Sequence, residues 1–161
     1  MNKLALQSLM LGAQLLGLEN VMVVQGDPFG QRDLATVKGA GDTRPTQLIA
    51  GIKEMNQGAD FRGSPLRAPT DFCVGATVDL GRGMEQEAAL AARKAQAGAE
   101  FFMSQPIFDV AEADRFRQAY QQASTRKSGT ELAFPVFFGL QILEKDGVIF
   151  SSVPDSVREE L

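Results

Sequence analysis

The sequence contains no histidine, and that absence excludes the most chemistry. Neither a Ser-His-Asp nor a Cys-His mechanism can operate from this chain alone, and no histidine-containing zinc site can form. Any chemistry falls to carboxylates, amides, Lys, Arg or Tyr, or to a bound cofactor. Cysteine is nearly absent too. With Cys73 alone, an internal disulfide is impossible, and a reducing, cytoplasmic compartment is expected. Cys73 sits in an apolar stretch and reads as a buried structural thiol. Clustered basic residues are lacking as well: 16 Lys and Arg against 20 Asp and Glu give a net charge of -4, which argues against a nucleic-acid footprint. No apolar run is long enough to cross a membrane.

What remains is an ordinary globular composition, 44% hydrophobic and 22% charged over 161 residues. That suits one domain spanning residues 1–161. The leucine-rich start resembles a secretory leader only superficially, because Gln7, Ser8 and Gln14 interrupt it. Leu4, Leu11, Leu15 and Leu18 fall on one helical face, so an amphipathic helix ending at Gly17 is expected.

Strands and helices then alternate. Apolar runs predict strands at Val21–Val24, Phe72–Ala76, Phe101–Met103 and Phe134–Gly139, with a fifth in GVIF at 147–150. Between them, Leu48, Ile49, Ile52 and Met55 make a helical stripe that Pro45 opens and Gly58 closes. Glu85–Ala97 is strongly helical, and Asp109 with Glu112 forms a capping-box-like start to a helix through Tyr120. The alternation predicts βα units on a parallel sheet. Four strands finish in polar residues on the same side: Gln25-Gly26-Asp27, Thr77-Val78-Asp79, Ser104-Gln105 and Gly139-Leu140-Gln141. Parallel α/β folds place their sites at that edge.

Three ordered blocks carry a resemblance: NKLALQSLMLGAQLLGLENVMVVQGDP, NQGADFRGSPLRAPTDFCVGATV and RKAQAGAEFFMSQPIFDV. Together they resemble the methylenetetrahydrofolate reductase family, whose signature is commonly AGADF followed by TQPVFD. The resemblance runs from residue 2 to about residue 141. It implies a (β/α)8 TIM barrel with FAD at the C-terminal strand ends, of which this chain supplies about the last five strands, truncated at both ends. The implied activity is transfer of a hydride from NAD(P)H through the flavin to 5,10-methylenetetrahydrofolate, giving the 5-methyl product. A cofactor that carries the hydride suits a chain without histidine.

The resemblance also implies roles. Asp27 is the catalytic strand-end carboxylate near the flavin's pyrimidine edge and the folate, where it assists iminium formation by electrostatics. Gln25 and Gly26 line the isoalloxazine, and Gln105 binds the pterin of the folate substrate. Thr77 is a further cofactor contact at the end of the second strand, although the family often has Asn-Pro or Tyr-Pro there. Lys94 contacts the phosphate-bearing part of FAD, and Glu87, seven residues away on one helical face, is an acidic cofactor contact. Ala99 influences flavin retention through packing. Read without the family, Lys94 and Glu87 are a solvated charged face, Asp27 is turn chemistry before Pro28, and Ala99 is a small packing residue.

The family's first-strand glutamate and its substrate-closing aromatic loop have no counterpart here. An incomplete barrel exposes strand edges and apolar surface, so a homo-oligomer or a partner chain is expected. Two other readings stay open: a non-catalytic flavin- or folate-binding subunit, and a structural remnant.

Overall fold

A computed structural model describes residues 2–26, 30, 43–128, 134–144 and 153–159. In chain order the elements are α1 (Lys3–Leu15), β1 (Asn20–Val23), α2 (Pro45–Asn56), β2 (Cys73–Val78), a 3-10 turn (Leu80–Arg82), α3 (Met84–Gln96), β3 (Phe101–Pro106), α4 (Val110–Ser128), β4 (Val136–Gly139) and α5 (Asp155–Arg158). The strands form one sheet in the order β1-β2-β3-β4. The β1–β2 and β3–β4 pairs are both parallel. This is an α/β fold with a four-stranded parallel sheet, consistent with the expected (β/α)8 barrel architecture. The fifth expected strand, 147–150, lies outside the described residues. No described helix is long and apolar enough to cross a membrane.

The chain divides into two compact units. The first comprises Met1–Ala76 and Arg93–Glu100. Its core is the stripe anticipated on α2: Ile49, Ile52 and Met55 are fully buried, with Val23, Phe72, Val74 and Ala76. Pro45 opens α2, and the Gln47 side chain accepts from the Arg44 backbone N–H at 3.0 Å. At its other end Asn56 fixes the long connection to β2. Its carboxamide accepts from Thr70 Oγ1 at 2.7 Å and from the Phe72 N–H at 3.0 Å, and donates to the Phe72 carbonyl at 2.8 Å. Gly51 is obligatory in a different way, because a Cβ there would lie 2.8 Å from the Phe61 ring.

The helix α1 differs from expectation. Leu4, Leu15 and Leu18 are exposed, and Ala13 is its buried residue. The glutamines that interrupt its leucines help to attach it. Gln7 accepts from the Phe61 N–H at 3.0 Å and Gln14 from the Asp71 N–H at 2.9 Å. Hydrogen bonds to the 61–71 connection therefore help to orient α1, together with Leu11, the one residue of the expected stripe that is half-buried.

The second unit comprises Thr77–Ala92 and Phe101–Leu161. Phe102, Phe116 and Tyr120 form its aromatic core: Phe102 meets Tyr120 edge-on at 5.9 Å, and Phe116 stacks on Tyr120 at 6.1 Å. Phe138 packs edge-on against Phe116, and the Arg117 guanidinium lies 5.5 Å from its ring centre. At the start of α4, Asp109 Oδ1 accepts from the Ala111 N–H at 2.9 Å, and its Oδ2 accepts from Arg115 at 3.3 Å.

Candidate functional site

Side-chain alternation decides which strand residues could meet a ligand. In the second unit, Phe102 and Phe138 face α4 through the contacts above. Phe101 and Met103 therefore line the opposite face of β3, while the register shift between Met103 and Pro106 breaks the alternation before Gln105. On β4 that face holds Phe137, which meets Phe101 edge-on at 6.1 Å and is in register with Met103. This face is open, with Met103 47% and Phe137 58% exposed. Gln105 is exposed at its C-terminal end. Thr77 occupies the corresponding face of β2, alternating with the buried Ala76 and Val78, and is half-buried. β2 thus runs two residues past its expected end, so Thr77 is a strand residue. Asp79 follows it and caps the 3-10 turn, accepting from Gly81 and pairing with Arg82 at 2.9 Å.

In the first unit, β1 ends at Val23, and Val24, Gln25 and Gly26 follow it exposed. A Cβ on Gly26 would meet nothing within 4 Å, so packing around this position does not require glycine. Asp27, the carboxylate expected to be catalytic, lies outside the described residues.

Helix α3 gives the least expected result. Glu87 and Lys94 are each only 5% exposed, which overturns the solvated-face alternative. Ionised groups in such positions are held by compensating partners, and each has an interaction within the chain. The sequence signal for burial was available: Ala88, Ala91, Ala92 and Ala95 mark the inward face of the same helix, and all are buried. Ala99 is buried in the turn after α3, its N–H bonded to the Lys94 carbonyl at 3.0 Å. Its side chain acts through packing.

Cys73 is half-buried rather than buried. Burial, then the nearby Glu100 carboxylate, push its thiol above the ordinary value, so it stays protonated at neutral pH and is a poor nucleophile. Glu100 itself pairs with Lys53 at 2.8 Å and accepts from the Val74 N–H at 3.1 Å, tying α2 to the β2 start. Sequence reasoning missed this cross-link, because its partners are 47 residues apart. Shallow grooves elsewhere are lined by Lys3, Gln7, Asp60 and Phe61, and by Gln118, Gln121 and Thr125; neither includes a strand-end residue.

The chemistry available at the strand ends is therefore mixed. Exposed apolar side chains lie beside neutral carboxamides, which both donate and accept hydrogen bonds. No curated protein matches the chain. The family model for methylenetetrahydrofolate reductase matches residues 1–161, and the chain belongs to that family.

Proposed function

We propose that this chain forms part of a flavin- and folate-binding site at the C-terminal ends of its strands, and serves reduction of 5,10-methylenetetrahydrofolate to 5-methyltetrahydrofolate. Family membership supports the reaction class. The structural observation that carries the site is the exposed end of β3, where Met103 and Gln105 are both exposed.

The residues present fit FAD. In the first unit, Val24 and Gln25 offer an apolar surface beside an amide, and the space at Gly26 admits close approach of a ligand to the backbone; in the second unit, by itself, Thr77 is a half-buried hydroxyl on β2. When bound, a flavin would supply the hydride chemistry between NAD(P)H and the one-carbon bridge of the folate. The protein's own tasks are binding and electrostatics. Gln105 presents a donor and an acceptor to the pterin edge. By the family resemblance Asp27 would supply the negative charge that assists iminium formation on the folate. By the same resemblance Lys94 would contact the cofactor's phosphates and Glu87 would be an acidic cofactor contact; both are buried on α3. Ala99 keeps the α3–β3 turn compact, which preserves the position of Lys94.

Met103 and Phe137 leave apolar surface uncovered, and a closed barrel has eight strands. We propose that a second copy or a partner chain supplies further strands within a single cytoplasmic assembly. The reading is tested by mixing the flavin-loaded assembly with NADH or NADPH and methylenetetrahydrofolate. Formation of the 5-methyl product, diminished in Asp27→Asn and in Gln105→Ala, supports it. Tight flavin and folate binding without product would favour the non-catalytic subunit.

A further inference from the structure

We infer that Ser104 is a positioning residue that sets the direction of Gln105 by locking a β-bulge between β3 and β4. This rests on the reading of Gln105 as the pterin contact.

The ladder between the two strands is regular at Phe102↔Val136 and Met103↔Phe137, then resumes at Pro106↔Gly139. β3 advances three residues while β4 advances two, which is the definition of a bulge. Pro106 has no N–H to contribute to the ladder. The Ser104 hydroxyl fills the gap in both directions. It accepts from the Gly139 N–H at 3.0 Å and donates to the Gln105 carbonyl at 2.6 Å. The carbonyl of Gly139 is then held by the Ile107 N–H at 3.0 Å. One side chain thus satisfies a β4 donor and fixes the peptide that follows Gln105.

The glycine is part of the device. A Cβ on residue 139 would lie 2.9 Å from the Ser104 carbonyl oxygen and 3.2 Å from the Pro106 nitrogen, too close for backbone atoms that cannot move aside. Only a hydroxyl can donate and accept at once from so short a side chain, which predicts that threonine is tolerated at 104 and alanine is not. A bulge at a strand end re-aims the neighbouring side chain. Here that side chain is Gln105, which remains exposed.

Two measurements test this. In the free chain, exchange of the Gly139 amide should quicken by about tenfold in Ser104→Ala, the loss of one net hydrogen bond, and stay unchanged in Ser104→Thr. Unchanged exchange in Ser104→Ala overturns the inference alone. In the flavin-loaded assembly, with 5-methyltetrahydrofolate as probe, Ser104→Ala should weaken binding by about five- to tenfold, with recovery in Ser104→Thr. In a Gln105→Ala background Ser104→Ala should have no further effect. Equal weakening in that background means that Ser104 does not act through Gln105, and overturns the positioning role. A Gln105→Ala variant that binds the probe normally instead overturns the pterin reading, and the positioning role with it.

Discussion

Replacing Tyr120 with phenylalanine should make the protein more stable. The ring is 7% exposed and keeps company with Phe102 and Phe116, but its hydroxyl is buried with no hydrogen-bond partner among the described residues. An unsatisfied buried hydroxyl costs about 1–3 kcal/mol, whereas phenylalanine preserves the ring contacts. Tyr120→Phe is therefore expected to add about 1–2 kcal/mol, which for a chain of this size raises Tm by about 2–8 °C. The same burial sets an alkaline limit. It pushes the Tyr120 phenol from 10.0 up to about 12, so between those values the folded state holds a proton that the unfolded state has released. Stability from this group is complete below pH 10 and is lost as pH rises towards 12. Urea unfolding at pH 7 and at pH 11 reads both effects. The variant should be more stable at pH 7, and its advantage should widen at pH 11. A variant that is less stable at pH 7 with an unchanged m-value would show that the hydroxyl is satisfied, and would refute the reasoning.

Other substitutions probe the supports of the strands. Asn56→Ala removes three hydrogen bonds and leaves the buried Phe72 peptide without partners, so a loss of about 2–4 kcal/mol is expected in chemical denaturation. Gly139→Ala should cost about 1–3 kcal/mol by forcing β4 away from the bulge, with faster exchange of the Ile107 amide as its local sign. At Asp60, hydrogen bonds from the Ser64 and Arg62 N–H groups hold the carboxyl below its ordinary 3.8. Its contribution is present above that value and lost as pH falls through the lower folded one, so Asp60→Asn should flatten the acid limb of the stability profile.

The fold was legible where periodicity is strong. The α2 stripe of Ile49, Ile52 and Met55 is buried as its spacing predicts, and the parallel alternation of strands and helices is present in the described chain. It was less legible where side chains bond to distant backbone. The leucines of α1 suggested an inward face, but Gln7 and Gln14 help to attach that helix, and no periodicity records an amide's partner. Strand ends were read short because Thr77, Ser104 and Gln105 are polar. β2 and β3 continue through them, since backbone pairing does not depend on side-chain polarity. The charges of α3 looked like surface in a segment rich in Glu, Arg and Lys, yet Glu87 and Lys94 are buried with the alanines.

The strand ends of this chain are proposed to hold a flavin. The most direct measurement is an absorbance titration of the folded, full-length protein with FAD in its native oligomeric state, alongside Gln25→Ala and Lys94→Ala. The account predicts saturable binding that weakens in both variants and is unchanged in a control, Gln118→Ala, on the outer surface of α4. No saturable binding by the folded protein, or binding indifferent to both substitutions, would contradict it.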